Sequence, residues 1–113
     1  MASKRVLIVE DEAVLRRIVA DAVERAGYSV AVASDGEEGL RLFLSEQPHL
    51  VIADIMMPRL DGLEMVRSMR RAGGVTQFLF LSARSGADDV VEGFRAGGHD
   101  WPERQVQRLQ VEP

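Results

Sequence analysis

The sequence predicts an α/β fold in which a parallel sheet is covered by helices on both faces. Short β-branched runs without alternation recur along the chain, the pattern of strands buried on both faces. Between them lie stretches with apolar residues at helical spacing, set off by turn residues. Strands and helices that alternate in this way join through right-handed crossovers into one sheet.

The first strand is residues 4 to 9, Lys-Arg-Val-Leu-Ile-Val. A helix follows from Glu12 to Ala26, with Leu15, Ile18, Val19, Ala22, Val23 and Ala26 on its apolar stripe and Gly27 as the C-cap glycine. Tyr28 to Ala33 forms the second strand, and Ser34-Asp35-Gly36 punctuates the chain. The second helix places Leu40, Phe43 and Leu44 on one face and must end before Pro48. The third strand, His49 to Ala53, stops at Asp54.

Met57 to Gly62 reads as loop and turn, and Leu63, Val66 and Met69 mark a third helix running up to Gly73-Gly74. Gln77 to Leu81 is the fourth strand. Ser85-Gly86 separates it from a fourth helix with Ala87, Val90, Val91 and Phe94, which closes at Gly97-Gly98. A fifth strand is expected next, yet His99 to Arg104 has little apolar content and contains Pro102. Gln105 to Pro113 offers only Val106, Leu109 and Val111 for packing, so the fifth strand and helix are expected to be short or irregular.

A length of 113 residues fits one module, residues 1–113, with 46% hydrophobic and 28% charged residues. No apolar run approaches the roughly 18 residues of a membrane span, and the chain is expected to stay in the cytoplasm. Without cysteine there are no disulfides, thiolate metal sites or cysteine nucleophiles. The net charge of −4 argues against a sequence-independent nucleic-acid surface. Of 14 cations only Lys4 is a lysine.

In open parallel sheets, functional groups collect beyond the carboxyl ends of the strands, where strand order reverses. Here the first strand ends in Glu10-Asp11-Glu12, the third in Asp54 and the fourth in Ser82. Taken alone, the acidic triplet also reads as a helix N-cap with first-turn charges, and Asp54 as a turn residue. Together, carboxylates at neighbouring strand ends repel unless a cation joins them, and oxygen-only donors favour Mg2+ over zinc.

Three segments carry a resemblance: Val6-Leu7-Ile8-Val9-Glu10-Asp11-Glu12, Asp54-Ile55-Met56-Met57-Pro58-Arg59-Leu60-Asp61-Gly62, and Leu81-Ser82-Ala83. At these spacings the chain resembles the receiver domains of two-component response regulators, over residues 4 to about 101, with an atypical tail from 102 to 113. The resemblance implies a flavodoxin-like three-layer sandwich with strand order 2-1-3-4-5. It makes Asp54 the phosphoryl acceptor, Glu10 and Asp11 the acidic pair that holds Mg2+, and the Met56 backbone carbonyl a further ligand beside Asp54. It also makes Ser82 the switch hydroxyl and puts Trp101 at the switch-aromatic position. A carboxylate is a competent nucleophile toward phosphorus, and phosphoryl transfer depends mainly on positioning and charge neutralisation.

The family's lysine and proline at the end of the fifth strand are replaced by Arg104 and Gln105, and Lys4 stands at the opposite end of the sheet. Arginine binds phosphate, but its planar fork is not interchangeable with an ammonium. The implied function is a phosphorylation-controlled signalling module, supplied by a sensor histidine kinase or phosphotransfer protein. It would act through a downstream protein partner or self-association, without direct nucleic-acid or membrane contact. Such a module is not a metabolic enzyme, although it assists its own Mg2+-dependent phosphorylation and dephosphorylation. The alternative is a pseudo-receiver, a phosphorylation-independent interaction module. An aspartate-nucleophile phosphatase ranks last, because its general acid would fall at Met56. Arg59, Arg67, Arg70 and Arg71 read as a solvated face, and His49 and His99 are assigned no function.

Overall fold

The computed structural model describes residues 4–54, 62–72 and 76–81, and the backbone alone at residues 54, 62, 63, 80 and 81. Its elements run β1 (Arg5–Val9), α1 (Ala13–Arg25), β2 (Ser29–Ala33), α2 (Gly36–Glu46), β3 (Leu50–Asp54), α3 (Gly62–Arg71) and β4 (Gln77–Leu81). The strands form one parallel sheet in the order β2-β1-β3-β4. This is the described part of the predicted order. The fourth helix, the fifth strand and the tail lie outside the described residues.

Because successive side chains of a strand face opposite ways, each central strand feeds two cores. Val6 and Ile8 of β1 and Leu50 and Ile52 of β3 pack with Val19 and Val23 of α1. Leu7, Val9, Val51 and Ala53 pack instead with Phe43 of α2 and with Met65, Val66 and Met69 of α3. The continuous apolar strands therefore sit between two helical layers.

The helix ends follow from local chemistry. Asp35 is the N-cap of α2, where its Oδ1 accepts from the Glu38 N–H at 2.8 Å, while Glu38 Oε1 accepts from the Ser34 N–H at 2.8 Å. At the end of α1, the Gly27 N–H bonds to the Glu24 carbonyl at 3.0 Å and the Tyr28 N–H to the Val23 carbonyl at 3.4 Å. That pairing is a Schellman motif, and it requires the positive φ of 101° that glycine adopts without strain.

Two apolar positions differ from expectation. Ile18 is 45% exposed and Leu44 is 57% exposed. At about 100° per residue, each falls roughly a third of a turn from the axis of its helix's buried face, marked by Val19 and Val23 in α1 and by Gly39 and Phe43 in α2. Tyr28 and His49 precede their strands rather than open them.

Candidate functional site

The chain turns direction across the sheet between β1 and β3: β2 lies on one side of β1, and β3 and β4 lie on the other. A sheet of this kind opens a crevice beyond the carboxyl ends of those two strands. Val9 is the register partner of Ala53, so the next residues, Glu10 and Asp54, follow side by side at that edge. Asp54 pairs in register with Leu81, which immediately precedes Ser82. The described backbone thus brings two predicted site positions, Glu10 and Asp54, to adjacent strand ends.

Glu10 is the one buried charged side chain among the described residues, at 1% exposure. Its N–H donates to the Ala33 carbonyl of β2 at 3.0 Å, and its own carbonyl accepts from Arg16 Nη1 at 2.8 Å. Its Oε2 accepts from the Glu12 N–H at 3.0 Å. A carboxylate withdrawn from water carries a large desolvation cost that such bonds offset in part. The neighbouring Asp11 is exposed.

The triplet is not a conventional helix cap. Glu12 occupies the N-cap of α1 but makes no side-chain cap bond, and the first turn holds no acidic residue. Glu10 instead reaches forward to the backbone that enters the helix. Sequence reasoning missed Arg16, whose only signal was a cation one turn into the helix that follows an acidic strand end.

Among the described residues no three acidic or imidazole side chains gather closely enough to hold a metal ion. The Asp54 side chain, Met56, Ser82, Trp101 and Arg104 lie outside what is described. The donor chemistry fits a hard divalent cation: Glu10, Asp11 and Asp54 offer only carboxylate oxygen at one sheet edge.

A family model described as the response regulator receiver domain matches residues 6–109. The response regulator MprA of Mycolicibacterium vanbaalenii is 41% identical over 97 residues, covering 86% of this chain and 42% of the relative. MprA of Mycobacterium tuberculosis is 39% identical over 99 residues, covering 88% of this chain and 43% of that protein. The chain therefore spans about two-fifths of the length of these curated relatives. Among solved structures, the Vibrio cholerae chemotaxis protein CheY4 superposes with a TM-score of 0.73 at 27% identity, covering 96% of this chain and 99% of that one. The receiver domain of the hybrid histidine kinase CckA gives 0.68 at 29% identity, covering 94% and 99%.

The chain belongs to the response regulator receiver domain family of two-component signalling. Members of that family interact with histidine kinases and generally use Mg2+ for phosphorylation. No helix among the described residues is long and apolar enough to cross a membrane.

Proposed function

We propose that Asp54 accepts a phosphoryl group from the phosphohistidine of a sensor kinase or phosphotransfer protein. One Asp54 carboxylate oxygen forms the new bond to phosphorus, the phosphorus–nitrogen bond breaks, and the imidazole leaves with a proton from solvent. The observation that carries this reading is the Val9–Ala53 register, which sets Glu10 beside Asp54 where the sheet reverses.

Glu10 and Asp11, with Asp54 and the Met56 carbonyl, are the residues that would hold Mg2+. The ion, when bound, supplies charge neutralisation at the transferring phosphoryl oxygens. Glu10 is prepositioned for its part by the three hydrogen bonds that fix its backbone and one carboxylate oxygen. Ser82 follows β4 directly and is the candidate to donate to a phosphoryl oxygen, with Trp101 and Arg104 completing the response. The whole of 1–113 acts as one cytoplasmic module that signals through a protein partner or self-association. It turns over only its own phosphoryl group.

Arg104, in place of the family's lysine, also supports a second reading, an interaction module uncoupled from phosphorylation. Incubation with Mg2+ and a small phosphodonor, followed by intact-mass measurement, separates the two. Under the first reading the wild type gains one phosphoryl group and Asp54→Asn gains none. An unlabelled wild type supports the second, and label on Asp54→Asn mapped to Asp11 or Asp61 overturns the acceptor assignment.

A further inference from the structure

The amino-terminal edge of the sheet, opposite the acidic crevice, holds a cleft of about 600 Å³. That volume falls within the range of pockets that take a small organic molecule. Its apolar wall includes Phe43 and Leu44 at the end of α2, and Leu44 leaves more than half its surface to solvent. Its polar groups are mostly donors. Lys4 and Arg5 enter from the start of β1, His49 from the approach to β3, and no carboxylate stands among its described lining residues.

The donor character of His49 is set by the fold. The Arg5 N–H donates to His49 Nδ1 at 2.9 Å, so that nitrogen is the acceptor and the ring proton of the neutral imidazole is on Nε2. The Arg5 guanidinium makes no ion pair with another described residue. Glu46 borders a separate hollow of about 40 Å³ that shares Arg5 and Pro48 with the cleft, without pairing with that guanidinium. The carboxyl ends of α2 and α3 also lie at this edge, and each contributes roughly half a negative charge. Against them stands the full positive charge of the Arg5 guanidinium.

We propose that this cleft binds a small organic carboxylate with an apolar body. The carboxylate is held by Arg5 and the Nε2–H of His49, and the body lies against Leu44 and Phe43. The site is independent of the phosphoacceptor reading, because it occupies the other end of the sheet.

The test is an amide NMR titration of the full 113-residue chain with phenylbutyrate, with neutral phenylbutyramide and a capped acidic tripeptide in parallel. The expected result is saturable shifts at Arg5, Leu44, Gln47 and Gln77 with the acid. An exposed ion pair predicts a roughly two- to fivefold loss of affinity in Arg5→Gln. Leu44→Ser should also weaken binding, and Asp11→Asn should leave it unchanged. The site is overturned if the acid gives no saturable shifts there, if the amide binds as well as the acid, or if the tripeptide binds more tightly than either.

Discussion

Arg16 Nη1 donates a 2.8 Å hydrogen bond to the carbonyl oxygen of Glu10, so the first helix clasps the end of the strand that carries the buried carboxylate. A charged donor on a partly buried carbonyl contributes about 1 to 2 kcal/mol. Arg16→Leu should lower stability by about that amount, measured by urea unfolding, because the Glu10 peptide loses its tether. The same variant should weaken Mg2+ binding several-fold, since the carboxylate loses its fixed geometry. Unchanged Mg2+ affinity would leave Arg16 a purely structural residue.

Close packing of α2 makes Gly39 intolerant of any side chain. A Cβ there would meet Val9 Cγ2 at 2.9 Å and the Met65 sulfur at 3.0 Å. Val9 is a central-strand residue and Met65 is fully buried, so neither yields freely. Gly39→Ala should destabilise by roughly 1 to 3 kcal/mol, despite the higher helix propensity of alanine. A thermal melt that matches the wild type would show that α2 can shift outward without loss.

The strands were legible because each one is a continuous apolar run between turn residues, and β4 begins at Gln77 and ends at Leu81 as the pattern implies. Helix stripes were less exact. Periodicity marks the direction of a buried face but not its width, which is why Ile18 and Leu44 were placed on it and stand in solvent. Glu10 and Asp54 were legible as strand-end acids, yet only register puts them side by side. The bond from Arg5 to His49 joins residues 44 positions apart, and no local signal announces it. His49 therefore looked inert in the sequence.

Gln47 ends α2 in the left-handed region, with φ 48° and ψ 62°, and its N–H bonds to the Phe43 carbonyl at 3.0 Å. A residue with a Cβ is strained there by about 1 to 2 kcal/mol, whereas glycine is not. The greater freedom of glycine in the unfolded chain returns part of that gain. Gln47→Gly should thus raise stability by about 0.5 to 1 kcal/mol, seen as a higher denaturation midpoint. A lower midpoint would mean that the glutamine side chain contributes more than its strain.

The contrast between buried Glu10 and exposed Asp11 gives the metal proposal a test that unfolding alone could not mimic. Glu10→Ala removes the acceptor of the Glu12 N–H and opens space at the end of β1, so it should destabilise the ion-free chain by about 1 to 3 kcal/mol. Asp11→Ala, on the surface, should change the ion-free chain by less than about 0.5 kcal/mol. If both residues hold Mg2+, the ion should stabilise the wild type by about 1.4 kcal/mol at ten times its dissociation constant. At that concentration both variants should lose most of this gain. Thermal melts with and without Mg2+ read the two effects separately. An Asp11→Ala chain that keeps the full Mg2+ response would remove Asp11 from the metal site while leaving the fold and the family assignment intact.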